Sequence, residues 1–416
     1  MSVVPPPVAD APAPARRRVE PAFEGTPVTH DEWVSRAREV ARLLSADAVE
    51  RDRSDREPVE EVALLRSAGL PAALVPARFG GGGVSWETAL AIVREVAKAD
   101  GSIGQLIGYN YANLSKVVLT GTAEQQQRLF TASAENQWFW GGSVNPIGPS
   151  VTFVPTAQGY RARGRRTFAT GSSVADVIIV SGTLEGSEGT AVAVVRPDPA
   201  RVVFGEDWDN LGMRLTASGS VTFDDAWVDG EDMLSPLDGR APTARHTLTT
   251  PVIQAVFGHL YLGIAEGALQ AAAAYTRTTS RPWLLSDVTE ATSDPYVLET
   301  YGILSARTQA VGAFADLVAR RLDEVARAEA DVTWEVRGDL AARVAALKVL
   351  STDLVLDVTN RVFEVTGARA TSNAFGFDRF WRNARTHTLH DPVSYKRREV
   401  GDYYLHGRRA EFSLYT

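Results

Sequence analysis

The sequence predicts an α+β chain of three consecutive units: an all-helical unit, an antiparallel β unit and a C-terminal four-helix bundle. Apolar residues recur with a period near ~3.6 from residue 29 to about 135. Short runs rich in Val, Thr, Phe and Tyr then fill 138–234, punctuated by Gly, Asp and Pro at roughly ten-residue spacing. The helical period returns near residue 242 and persists to the end in long segments. The units implied are residues 29–135, 136–241 and 242–416, after a leader of residues 1–28.

Composition narrows the function. The chain has 416 residues, 44% hydrophobic and 23% charged, a length that suggests two or three packed units because single cores stop growing beyond ~250–300 residues. A net charge of −8 gives no electrostatic support to nucleic-acid binding. With no cysteine, disulfides, thiolate nucleophiles and cysteine-ligated metals are excluded. Six histidines, only His387 and His390 close in sequence, lead us to expect no metal site. No apolar run is expected to reach the ~18–20 residues of a membrane span. Residues 1–28, rich in Pro and Ala, lack the apolar core of a signal peptide and are expected to be a disordered, cytoplasmic leader.

In the first unit, Thr29 and Glu32 have capping-box spacing ahead of Trp33, Ala37, Val40, Ala41 and Leu44, one helical face. Further helices are expected over 59–67, ending before Gly69, and over 86–99, with Leu90, Ile92, Val93 and Ala97 inward. After Asp100 come a long apolar helix, 103–119, and a short one, 124–133. Strand-like runs occupy 151–156, 159–171, 176–184, 190–195 and 218–228. Four helical segments follow, over 246–279, 294–330, 332–366 and 391–405. Gly263 and Gly267, one turn apart, mark a close helix–helix approach. The run of glycines 80–83 precedes a helix, but no apolar strand feeds it, so it reads as a surface turn rather than a phosphate loop.

The stretch FWRNARTHTLHDPVSYK (380–396) gathers His387, His390, Arg382, Arg385 and Asp391. Taken with AVERDR (48–53), LVPARFGG (74–81), VREVAKADGSIGQLIGY (93–109), EDWDNLGMRLTASGS (206–220), YLGIAEGAL (261–269), SRPW (280–283) and VFEVTGARAT (362–371), it resembles the acyl-CoA dehydrogenase superfamily. More closely it is similar to the flavin-dependent monooxygenases of that fold, the dibenzothiophene monooxygenase type. The resemblance covers nearly everything after residue 30.

Two activities are then open. In the dehydrogenases the place of Leu389-His390-Asp391-Pro392 typically reads Ile-Tyr-Glu-Gly, and that Glu removes the substrate's α-proton. Asp391 is one methylene shorter, and a base displaced by ~1 Å can lose ~100-fold in rate. Glu266, the only acid on the helix where the superfamily's other base position lies, is set among small apolar residues. The resemblance therefore implies the oxygenase branch. There a separate NAD(P)H-dependent reductase supplies reduced FMN or FAD, O2 adds to form a C4a-(hydro)peroxyflavin, and an aromatic heterocycle is oxygenated at S, N or C.

The resemblance also implies residue roles. His390 is the first candidate for managing the proton, since imidazole titrates near ~6.5. His387, Tyr109, Thr170 and Asp391 are expected to assist. Flavin contacts are implied for Tyr109, Gly142, Ser143, Asn145, Arg166, Phe168, Thr170, Trp208, Ala368 and His390. Arg281 and Arg369 are implied at the phosphate, one from a neighbouring subunit of a homotetramer. Gln105, Trp138 and Trp140 are expected at the substrate pocket. Gln105, Thr170 and Gly142 stand where the dibenzothiophene monooxygenase type has His, Ser and Asn, which leaves the oxidised atom open.

Overall fold

The protein is described as a computed structural model covering residues 23–54, 56–145, 147, 150–187, 189–234, 242–328 and 332–416. Most of the expected leader, residues 1–22, lies outside the described residues. Residues 23–25 are held by a single arginine. Arg36 donates to the carbonyls of Glu24 and Gly25 at 2.7 and 2.8 Å, and its guanidinium lies 5.4 Å from the Phe23 ring centroid.

The first unit comprises α1 (His30–Ser45), α2 (Ala48–Arg53), α3 (Val59–Ser67), α4 (Trp86–Ala99), α5 (Gly101–Thr120) and α6 (Ala123–Asn136). The Thr29–Glu32 capping box is formed, and the five apolar residues expected on the inner face of α1 are all buried. Asp100 caps α5 by accepting from the backbone of Ser102 and Ile103. The buried Arg51 guanidinium reaches Asp100 Oδ2 at 2.8 Å, which ties α2 to the start of α5. The sequence did not announce α2, because six residues are too few to display a period.

The middle unit is one sheet of seven strands: β1 (Trp140–Ser143), β2 (Val151–Pro155), β3 (Gly159–Arg166), β4 (Val177–Leu184), β5 (Thr190–Val195), β6 (Val202–Phe204) and β7 (Val221–Asp229). Pairings β2/β3, β3/β7, β4/β5 and β6/β7 are antiparallel, as expected. Two are not: β1 and β2 both run parallel to β4. They lie end to end along one edge of it, Trp140 opposite Val177 and Thr152 opposite Thr183, as one strand interrupted by a loop. The sheet is therefore mixed. Alternation buries Val151 and Phe153 of β2 and Val221 and Phe223 of β7 in its own core.

The last unit holds α7 (Thr249–Thr278), α8 (Pro295–Arg327), α9 (Trp334–Thr366), α10 (Asp378–His387) and α11 (Val393–His406). Helix α9 packs against α7, α8 and α11, while α7 also packs on α4 and α5 of the first unit. Packed on several sides, α7 is mostly apolar. The expectation that no run approaches a membrane span is corrected here: residues 246–278 are long and apolar enough, but 83% of the apolar window is buried inside the protein. A Cβ on Gly263 or Gly267 would collide with the backbone of Arg94 or Lys98 on α4, the close approach foreseen from their spacing. The helix expected over 391–405 is α11, and a further helix, α10, precedes it. Pro392, lacking an N–H, sits at the N-cap of α11 and separates them.

Candidate active site

His387 ends α10, and His390 and Asp391 occupy the turn that follows. Their rings stack at 5.9 Å between centroids. His390 Nδ1 lies 3.2 Å from Asp391 Oδ1. The same carboxylate oxygen accepts from Lys348 Nζ of α9 at 2.7 Å, and Oδ2 accepts from Gln254 Nε2 of α7 at 3.4 Å. Lys348 is fully buried, donates also to Gln254 Oε1 at 3.2 Å, and lies over the rings of Phe257 and Tyr261. Burial pushes the Asp391 carboxyl up, but the His390 hydrogen bond and the Lys348 charge prevail and hold it below the usual carboxylate range. Burial lowers the Lys348 ammonium, and Asp391 opposes that shift.

His387 is buried, and Tyr261 Oη sits 2.9 Å from its Nδ1 and donates to its carbonyl at 3.1 Å. Both contacts are satisfied when Nδ1 carries the hydrogen, an assignment from the hydrogen-bond network. Nε2 then keeps its lone pair, and it has no partner among the described residues. Burial, then His390 and Lys348, push this imidazole well below its ordinary value. Tyr109 of α5 meets the cluster edge-on, 6.4 Å from the His387 ring, and stacks on Phe257 at 6.0 Å. Burial and the Asp391 charge raise its phenol pKa, partly offset by Gln105 one turn earlier.

From the sheet side a loop reaches α10. Met213 N donates to Asn383 Oδ1 at 2.7 Å, and Arg382 Nη1 donates to Leu211 O at 3.0 Å. Trp208 Nε1 donates to Met213 O at 2.8 Å, which sets its indole edge-on to Phe168 at 6.0 Å. Phe168 has φ +56° and is 60% exposed; a strained, solvent-facing phenylalanine is costly unless something planar covers it. Thr170 Oγ1 pairs with Ser218 Oγ at 2.9 Å, and Thr170 O accepts from Gly142 N at 3.0 Å. Gly142 faces the Asn113 amide, 3.0 Å from where its Cβ would stand.

Several residues expected at the flavin site have unmet hydrogen-bonding capacity. Ser143 Oγ, Gln105 Oε1 and His387 Nε2 are buried polar atoms with no good partner among the described residues, each costing ~1–3 kcal/mol if left so. A polar heterocycle reaching them would satisfy them.

Other expected site residues lie elsewhere. Arg166 is buried, its Nη atoms donating to the carbonyls of Asn145 and Ser181, while its Nε has no partner among the described residues. Trp140 is fully buried, its Nε1 donating to Ser133 Oγ at 3.1 Å, and Trp138 stacks under Arg196. These contacts tie Trp140 to α6 and Trp138 to Arg196. Arg281, Ala368 and Arg369 are exposed, at the far end of α7 and α9, where Ser280 Oγ donates to Val365 O at 3.3 Å. Seventeen residues of α7 separate Tyr261 from Thr278, roughly 26 Å at ~1.5 Å per residue. Lys348, Gln254, Tyr261, Phe257 and Asn383 were missed; only Lys348 left a signal, a cation in the apolar stripe Val344, Leu347, Val355.

Comparison with known proteins agrees with this geometry. The acyl-CoA dehydrogenase N-terminal domain matches residues 28–137 and the C-terminal domain residues 255–395. Dibenzothiophene monooxygenase of Mycolicibacterium goodii is 41% identical, over 91% of this chain and 95% of its own. The probable FMNH2-dependent monooxygenase SfnC of Pseudomonas putida is 39% identical, over 91% and 96%. The structure of TdsC from Paenibacillus sp. A11-2 with FMN and indole superposes with TM-score 0.88 at 40% identity, covering 93% of this chain and all of that one. The chain belongs to the acyl-CoA dehydrogenase superfamily and is, within it, a flavin-dependent monooxygenase.

Proposed function

We propose that this chain takes reduced FMN from a separate NAD(P)H-dependent flavin reductase in the cytoplasm and oxygenates a small aromatic heterocycle of the thiophene or indole type. Reduced flavin, when bound, supplies two electrons to O2; one oxygen atom enters the substrate and the other leaves as water. The observation that carries this reading is the state of Asp391. A carboxylate held by a buried lysine and an imidazole is a poor base for α-proton abstraction. His390, half-exposed with Nδ1 engaged, offers Nε2 as the group that holds and delivers a proton. His387 stays neutral beside it and presents an acceptor. Trp208, Phe168 and Tyr109 shield the reacting atoms from bulk water.

FMN, rather than FAD, is supported by the FMN-bound relative at 40% identity. Arg281 and Arg369 are too far along α7 and α9 to serve a flavin at their own chain's histidines, since ~26 Å exceeds the reach of a ribityl phosphate. They act on a neighbour's flavin in a homotetramer, for which the exposed Trp283, Leu284, Leu285 and Tyr296 supply apolar contact.

The test is anaerobic mixing with reduced FMN, then O2 and either indole or dibenzothiophene. A product one oxygen atom heavier is expected from at least one. His390→Ala should abolish it while keeping most of the FMN affinity and the melting temperature and releasing hydrogen peroxide instead. Full product yield from His390→Ala, or no oxygenated product despite demonstrated FMN binding, overturns the reading.

A further inference from the structure

Lys348 has no role in the chemistry so far described, yet it is the most constrained cation near the histidines. A lone ammonium in the interior is strongly disfavoured, and this one has 0% side-chain exposure. It is compensated from three directions: Asp391, the Gln254 carbonyl, and the faces of Phe257 and Tyr261 at 4.6 and 5.6 Å. Gln254, Phe257 and Tyr261 lie at successive turns of one α7 face, so the helix builds a socket for the ammonium. Buried ion pairs replaced by apolar residues are often no less stable, so fold stability alone is a weak reason for the arrangement.

We infer that Lys348 is a positioning residue: by gripping Asp391 from α9 it sets the tautomer of His390 and how tightly that imidazole holds a proton. This rests on the role given to His390 above. Asp391 Oδ1 accepts from both Lys348 and His390, so the lysine orients the carboxylate and shares its charge. Held this way, the carboxylate places the hydrogen on Nδ1 and turns Nε2 outward. Sharing matters too, because an unshared carboxylate would favour imidazolium. The other charged or titratable groups facing His390 are His387 on α10 and, through Asp391 or Lys348, Lys396 on α11, Tyr109 on α5 and Tyr261 on α7. Tyr415 of the C-terminal segment also senses Asp391.

The experiment reads His390 directly in the flavin-free protein. Diethyl pyrocarbonate modifies neutral imidazole, and fragmentation of the tryptic peptide 386–396 separates His390 from His387. The pH midpoint of His390 modification should rise in Lys348→Met by roughly one unit, the low end for a charge at ~4–6 Å. It should fall in Asp391→Asn and remain near wild type in Lys348→Arg. The double variant Lys348→Met/Asp391→Asn, which leaves no unpaired charge, should fold and titrate below wild type. In parallel, the alkaline limb of product formation from indole should follow the midpoint, with kcat changing and KM not. An unchanged midpoint in Lys348→Met, or a double variant that titrates above wild type, overturns the inference. If the midpoints shift as stated while His390→Ala still oxygenates, the positioning stands and the function assigned to His390 fails.

Discussion

His259 on α7 makes a quantitative acid-stability prediction. It is 1% exposed, and neither ring nitrogen has a hydrogen-bond partner of good geometry among the described residues. Burial pushes its imidazole down to about 3, the Arg94 charge adds to the shift, and the Ala315 backbone and Glu266 only partly oppose it. A base depressed in the folded state takes up its proton more readily when unfolded. Between about pH 6.5 and 3 the unfolded chain binds the extra proton, so stability falls as pH falls; above about 6.5 neither state binds it and nothing is lost.

Each unit is ~1.36 kcal/mol, so the loss near pH 5 is about 2 kcal/mol per chain from this residue alone. His387, also held neutral by burial, acts with the same sign, so removing His259 abolishes only its own share. Urea unfolding of wild type and His259→Leu should be compared near pH 7.5 and near pH 5. The variant should lose about 2 kcal/mol less across that interval. Equal losses would mean that His259 is solvated or paired, and would refute the reasoning.

Arg281→Ala and Arg369→Ala should each weaken FMN binding by ~1.5–3 kcal/mol, the usual worth of a hydrogen bond to a charged group, with turnover recovered at saturating FMN. Light scattering that finds a fully active monomer would sink both these variants' rationale and the tetramer. Gly267→Ala places a methyl against the Lys98 carbonyl and should cost at least the ~1–3 kcal/mol of an overpacked core, read as a lowered melting temperature; an unchanged melting temperature would show that α4 and α7 can separate freely.

What the sequence made legible was whatever is local. The Thr29–Glu32 box, the ends of α3 and α4 and the five recognised strands each follow from a short-range rule, and all stand near their expected places except that β3 ends five residues early, at Arg166. Elements too short to show a period were invisible: α2, β1 and β6 span six, four and three residues. Helix α7 was read as a bundle helix and its apolar length was underestimated; most of that apolar window is buried inside the protein. At the site, His387, His390 and Asp391 were legible as a cluster because a single turn carries them. Arg166 shows the limit of spacing: that it ties Asn145 to Ser181 could not be read until its partners were known.

Lys348 shows where sequence reading stops. Its neighbours Leu347, Ser351 and Val355 mark a buried face of α9, so a cation there already demands a partner. Which partner cannot follow from spacing, because Asp391 and Lys348 are 43 residues apart and meet only when α9, α7 and the α10–α11 turn pack together. The same packing leaves Arg281 and Arg369 at the opposite end of the bundle. Residues assigned to one flavin thus fall into two groups that a single chain keeps apart, and the separation is itself the physical reason to look for the site's remainder on another subunit.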